Sequence, residues 1–261
     1  MARQHEMLEL KMPDGQMVRG GYSAPRGGGP VPAVVFAHGF GSARGGEKAG
    51  ALEAACARRG WAFAACDFRG HGESDGTMRE LRGSRLLEDL DAIARTVADR
   101  AGGPLFLFGS SLGGWTSAWL SANEPTRITA CALVAPALRF FEFLRLSPEG
   151  MAEWRGAGRM RVHNEFVDVE IDYDLTAEAD RFAFNSLAAR FETPAILFHG
   201  MQDDLVPHSI SIDFIEQAPF HELELVLFKT GDHRLLDRKD EMASRACAFF
   251  AAQMAGGDGI H

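Results

Sequence analysis

Five residues, Gly109-Ser110-Ser111-Leu112-Gly113, stand directly after the apolar run Pro104-Leu105-Phe106-Leu107-Phe108 and open a segment that reads as a helix. Few backbones accommodate that order: a buried strand, one sharp turn and a helix start. The turn brings the positions two before and two after Ser111 close together, where any Cβ would clash, so glycine stands at both. The Ser111 hydroxyl is then expected above the sheet. The Leu112 amide, at the helix start, is expected to point where a developing oxyanion can be met. The competing role for Ser111, or for Ser110, is an N-cap on a buried helix. With 29 glycines in 261 residues the pattern also arises by chance, and context has to decide. The second match, Gly72-Glu73-Ser74-Asp75-Gly76, lies in a polar loop with no abutting strand, which predicts an ordinary loop serine at Ser74.

Around the elbow, short apolar runs alternate with helix-like stretches. Strands are expected at 33–37, 61–68, 104–109, 128–134, 195–199 and 223–229, and helices at 47–59, 84–100, 111–122, 208–217 and 238–254. Residues 5–12 and 16–22 alternate loosely around Pro13-Asp14-Gly15 and read as a hairpin. The pattern predicts an α/β fold, a mostly parallel eight-stranded sheet with helices on both faces. Between Pro136 and Pro194 the alternation fails. That stretch carries Arg139-Phe140-Phe141-Glu142-Phe143, then Trp154, then 166–173 with apolar residues alternating with acids. It reads as a small inserted cap, 137–191, on a core formed by 1–136 and 192–255, with 256–261 as a flexible tail.

Composition bounds the function. At 46% hydrophobic and 24% charged the chain is ordinary globular material, long enough to bury a substantial core. A net charge of −9, with no Lys/Arg cluster, argues against a nucleic-acid partner. Cys56, Cys66, Cys131 and Cys247 lie far apart and show no metal spacing, so free, mostly buried thiols in a reducing compartment are expected. No apolar run is long enough to span a bilayer and no leader pattern opens the chain, so a cytoplasmic location is the expectation. The oligomeric state is left open.

A serine nucleophile needs a base, and the base an orienting acid. His199-Gly200-Met201-Gln202-Asp203-Asp204-Leu205-Val206-Pro207 follows the strand at 195–199, and Thr230-Gly231-Asp232-His233-Arg234 follows the strand at 223–229. Asp203 and His233 therefore sit just past strand ends, where ligand chemistry gathers in such sheets. Asp204 is the alternative acid, Asp203 then capping the next helix. His199 is expected to be structural and Asp232 solvated. The second oxyanion amide is sought in Ala37-His38-Gly39-Phe40-Gly41-Ser42, after the strand at 33–37. Gly39 allows close approach to substrate, Phe40 N–H pairs with Leu112 N–H, and His38 holds the loop.

These ordered motifs are identified as those of the α/β-hydrolase superfamily, over roughly 33–250. More narrowly, Gly109-Ser110-Ser111-Leu112-Gly113-Gly114-Trp115, the His199–Pro207 motif and Asp232-His233-Arg234 resemble the mitochondrial α/β-hydrolase-domain palmitoyl-protein/acyl-glucuronide thioesterase group. The resemblance implies a Ser111, Asp203 and His233 triad, as the spacing already suggests. The stretch Asp67-Phe68-Arg69-Gly70-His71-Gly72-Glu73-Ser74-Asp75-Gly76 is generic to many hydrolases, the cap matches least, and no transit peptide is evident. The expected function is hydrolysis of carboxylic esters or acyl thioesters through an acyl-enzyme. The expected partner is a small acyl substrate, lined by Gly39, Phe141, Phe143 and Trp154, with no metal and no organic cofactor. The rivals are a small peptidase of the prolyl-oligopeptidase type, for which Glu170 and Asp172 would anchor the peptide amine, and a ligand receptor that has kept the fold.

Overall fold

The structure is a computed structural model and describes residues 3–26, 28–163 and 167–256. The chain enters as a hairpin, β1 (Arg3–Lys11) and β2 (Met17–Pro25), around the expected turn, where Gly15 takes a φ of 87°. There follow β3 (Val31–Ala37), α1 (Glu47–Arg59), β4 (Ala62–Asp67), α2 (Gly83–Ala101), β5 (Gly102–Ser110), α3 (Leu112–Asn123) and β6 (Ala130–Val134). Next come α4 (Phe140–Phe143), α5 (Pro148–Ala157), β7 (Arg159–His163), β8 (Asp168–Asp172) and α6 (Phe184–Ala189). The chain closes with β9 (Ala195–Gly200), α7 (Ser209–Gln217), β10 (Leu223–Phe228) and α8 (Lys239–Gly256).

Eight strands form one sheet in the order β1-β2-β4-β3-β5-β6-β9-β10. Only the β1–β2 and β2–β4 pairings are antiparallel. The central strands are buried on both faces, and their side chains alternate strictly. Val34, Phe36, Phe106, Phe108, Ile196 and Phe198 pack on one face with Leu52 of α1 and Phe250 of α8. Ala33, Val35, Leu105, Leu107 and Leu197 turn the other way, toward Leu90 of α2, Trp119 of α3 and Phe214 of α7. A period of two buried on both sides is the signature of parallel strands sandwiched between helices. Because β3, β5, β6, β9 and β10 run parallel, their carboxyl ends open on one edge of the sheet.

The stretch between β6 and β9 leaves the sheet. It holds short helices and a two-stranded antiparallel hairpin, β7–β8, which the sequence reading did not assign. Its exposed faces carry Arg159, Arg161, Asp168 and Glu170 in cross-strand ion pairs, so the hairpin lacks the apolar run that marks the core strands. Residues 164–166 between its strands, and residues 257–261 of the expected tail, lie outside the described residues.

Candidate active site

The elbow has the expected geometry, and the reason is steric. Ser111 sits at φ 54°, ψ −114°, a region that non-glycine residues enter at a cost of about 1–3 kcal/mol. Its surroundings hold it there. Ser111 N–H donates to the Val134 carbonyl at 2.9 Å, while the Ser111 carbonyl accepts from Trp115 at 3.0 Å and Ala137 at 3.1 Å. A methyl group added at Gly109 would stand 2.3 Å from the Gly113 carbonyl oxygen, and one at Gly113 would stand 2.1 Å from that of Ala37. Both glycines are compelled by backbone contact.

Ser111 Oγ lies 3.0 Å from His233 Nε2, and His233 Nδ1 lies 2.7 Å from Asp203 Oδ2. The structure thus brings the three residues from the ends of β5, β10 and β9 into one hydrogen-bonded line. Two further glycines allow the last two loops to meet. A methyl at Gly200 would strike the Gly231 carbonyl oxygen at 2.2 Å, and Gln202 N–H donates to that carbonyl at 2.9 Å. Asp203 is buried, with Oδ1 accepting from the amides of Leu205 (3.0 Å) and Val206 (2.8 Å). Burial pushes its carboxyl up, but the hydrogen bonds from His199, His233 and the Val206 amide outweigh that and hold it well below the usual carboxylate range. Asp204 is exposed. So is Asp232, which accepts from Leu235 N–H at 2.7 Å.

On the opposite side of Ser111 lies the loop after β3. A methyl at Gly39 would come within 3.3 Å of Ser111 Cβ and 3.9 Å of its Oγ, the close approach anticipated for that glycine. His38 is buried, and its ring bridges two chains. Nδ1 donates to the Gly39 carbonyl at 2.8 Å, and Nε2 accepts from Phe68 N–H at 3.1 Å. The Gly39 carbonyl also accepts from Ser42 N–H at 3.2 Å. A trans peptide points its N–H opposite to its carbonyl, so fixing this carbonyl orients the Phe40 amide. Among the described residues neither Phe40 N–H nor Leu112 N–H has a hydrogen-bond partner.

The aromatic residues assigned to substrate are placed differently from one another. Phe141, 4% exposed, stacks on Phe182 and meets Trp115. Trp154, 2% exposed, packs edge-on against Tyr173. Phe143 is 43% exposed. Two of the three rings are thus enclosed by protein, and their aromatic character serves packing of the inserted segment. Ser74 is a loop residue: its hydroxyl donates to the Asp67 carbonyl at 2.6 Å and accepts from Arg19 N–H at 2.8 Å. Glu170 and Asp172, the suggested amine anchors, pair with Arg159 at 3.3 Å and Arg79 at 2.8 Å.

Comparison with known proteins shows the family to which the chain belongs. The family model described as serine aminopeptidase, S33 matches residues 28–165. A mitochondrial palmitoyl-protein thioesterase ABHD10 of Bos taurus is 30% identical over 217 residues, spanning 81% of this chain and 70% of the relative. The structure of mouse α/β hydrolase domain-containing protein 10 superposes with a TM-score of 0.78 at 25% identity, covering 95% of this chain and 98% of that one. The chain belongs to the α/β-hydrolases of the ABHD10 group. This hydrolase is an enzyme of the esterase/thioesterase type. An esterase of Mycobacterium tuberculosis is a further relative, 31% identical over 172 residues, covering 64% of this chain and 54% of the relative. The expected cytoplasmic location is set against relatives whose names place them in mitochondria. Among the described residues no helix is long and apolar enough to cross a membrane.

Two residues of the hydrolase, Val167 and Lys48, escaped the sequence reading, and a third, His199, has partners that it did not anticipate. Val167, just before β8, packs on the loop after β3: a methyl at Gly41 would sit 2.6 Å from Val167 Cγ2. Lys48, in the first turn of α1, donates from Nζ to the Arg234 carbonyl at 2.9 Å, tethering the histidine loop. Burial and the nearby Arg234 push its ammonium down to about 8. His199 was expected only as a structural residue, yet its ring reaches Asp203. No periodicity or motif spacing marks Val167 or Lys48. His199 was visible only as the first residue of the motif that holds Asp203.

Proposed function

We propose that the chain is a serine hydrolase that transfers the acyl group of a carboxylic ester or acyl thioester to water. The observation that carries the reading is the unbroken line Ser111 Oγ, His233 Nε2, His233 Nδ1, Asp203 Oδ2, with contacts of 3.0 and 2.7 Å. Ser111 Oγ attacks the acyl carbonyl as its proton passes to His233 Nε2. Asp203 keeps the other imidazole hydrogen on Nδ1 and stabilises the imidazolium. The carbonyl oxygen takes on negative charge and is met by the Phe40 and Leu112 amides. Collapse expels the alcohol or thiol, which takes the proton from His233. Water, deprotonated by the same imidazole, then attacks the acyl-serine, and Ser111 leaves with the proton returned.

The name of the palmitoyl-protein thioesterase relatives favours a long-chain S-acyl substrate, and medium chains are included in the reading. The 137–191 segment, read as a cap over a core of 1–136 and 192–255, is the element to select that chain. Its support is the seating of Val167 on Gly41. A peptidase is suggested by the family description, but Glu170 and Asp172 already face arginines, which leaves the amine anchor without support. Matched acyl thioesters, p-nitrophenyl esters and aminoacyl anilides decide between the two. The expected order of kcat/KM places thioesters and esters well above anilides, and a clear preference for anilides would promote the peptidase. A fluorophosphonate should label the wild type and fail to label Ser111→Ala. Labelling without turnover of any ester or thioester would favour the receptor.

A further inference from the structure

Behind Asp203 stands a second imidazole. His199, next to last in β9, is fully buried. Its Nε2 lies 3.1 Å from Asp203 Oδ2 and 2.9 Å from the Val206 carbonyl oxygen, and its Nδ1 lies 2.7 Å from Ser211 Oγ in α7. Among the described residues the buried Ser211 hydroxyl has no other partner. Its hydrogen therefore goes to Nδ1, which puts the imidazole hydrogen on Nε2, facing the acid. Asp203 thus receives two amide donors on Oδ1, from Leu205 and Val206, and two imidazole donors on Oδ2, from His199 and His233.

We propose that His199, oriented by Ser211, is a positioning residue for the triad acid: it shares Asp203 Oδ2 with His233, fixes the rotation of the carboxylate and tempers its pull on protonated His233. The inference rests on the reading of Ser111, His233 and Asp203 as a triad. A donor on a carboxylate stabilises its charge and leaves less of it to stabilise a neighbouring cation. With His199 in place, protonated His233 surrenders its proton more readily to the leaving group. Without it, Asp203 is the stronger acceptor and His233 holds its proton to higher pH. The charged groups around the line are Lys48 from α1, which reaches the Arg234 carbonyl, and the exposed Asp204, Asp232 and Arg234 of the two loops. The exposed charges are screened by solvent, whereas the His199–Asp203 contact is dry and is not.

The test is the pH dependence of kcat/KM on a p-nitrophenyl ester, between pH 5 and 8, for wild type, His199→Leu, His199→Gln and Ser211→Ala. In His199→Leu the acid limb is expected to move up by about half to one pH unit. His199→Gln, whose amide again offers an N–H, should return it toward wild type. Ser211→Ala should move it the same way by less. An acid limb that stays put, or moves down, in His199→Leu and Ser211→Ala while Tm or rate falls makes His199 a packing residue and overturns the proposal. If His199→Leu does not fold, Ser211→Ala alone decides by the same criterion. Failure of the triad reading shows elsewhere: a Ser111→Ala enzyme that still takes the fluorophosphonate and hydrolyses the ester sinks it whatever the His199 variants do.

Discussion

Asp203 and Asp204 are adjacent in the chain and share one chemistry, but only Asp203 is buried and bonded on both oxygens. Asp203→Asn is expected to lower kcat by about 10⁴, the scale seen when a triad acid is neutralised or removed. Asp204→Asn should cost less than about threefold. Steady-state kinetics check this, and the reverse order would move the orienting role to Asp204. Burial also bears on the slope of the acid limb. Burial pushes His38 down, and burial together with the neighbouring His38 pushes His71 down to about 3. His71 therefore gains no proton between pH 5 and 8. The carboxyl of Asp203 is held below the usual range, so the stability it contributes is present above the ordinary carboxylate value and is lost only as pH falls through its lowered folded value. The acid limb is thus expected to record one proton, that of His233. A slope of two in log kcat/KM would implicate a second group.

At the scale of elements, the 137–191 segment is bound to the core by two kinds of contact. Phe182 packs against Trp115 and Trp119 of α3 and stacks on Phe141. At the segment's edge, Arg79 pairs with Asp172 at 2.8 Å and Arg82 with Asp174 at 3.2 Å. The apolar contacts dominate, because exposed ion pairs contribute little. Phe141→Ala is expected to destabilise by about 3–5 kcal/mol, the usual cost of removing a buried phenylalanine. Phe143→Ala, at an exposed position, should stay within about 0.5 kcal/mol, and chain-length preference is its informative readout. Thermal unfolding with a series of acyl esters separates the two. An equal loss of Tm in both variants would contradict the difference in burial. Gly41 couples this segment to the loop after β3, and its φ of 65° and the Val167 contact make Gly41→Val strained on two counts. That variant should lose kcat more than it loses substrate affinity.

For the whole molecule, acid is the relevant stress. His71 is buried among His38, Phe68 and Phe40, and its folded value of about 3 lies below the ordinary value of 6.5. The unfolded chain therefore binds the proton first, and stability falls as pH drops below about 6.5, down to the folded value. By pH 4.5 the loss attributable to His71 is on the order of 2–3 kcal/mol. Tm measured at pH 7.5 and 5 should fall more steeply for wild type than for His71→Phe, which has no proton to gain. Equal slopes would show that His71 does not carry the acid sensitivity.

What the sequence determined by itself is local. Apolar runs, glycines compelled by close approach and the turn at Pro13-Asp14-Gly15 place the strands and helices of the sheet within about two residues of their observed ends at most boundaries. They do so because strand burial on both faces and a serine elbow are properties of consecutive residues. That Ser111, Asp203 and His233 reach one edge followed from the same logic, since parallel strands send their ends there, while their order in the chain is what the resemblance to α/β-hydrolases implies. The rest depended on residues far apart in the chain. The choice of Asp203 over Asp204 rests on burial and on the loop contact between Gly200 and Gly231. The ring of His199 gained its partner only when α7 brought Ser211 to it. Val167 came to lie over Gly41, and Phe141 was enclosed by Trp115 and Phe182, through packing of a segment whose short charged strands carry no periodicity strong enough to read. Chain order fixes which groups reach the edge of the sheet, whereas burial and close packing decide which of them touch.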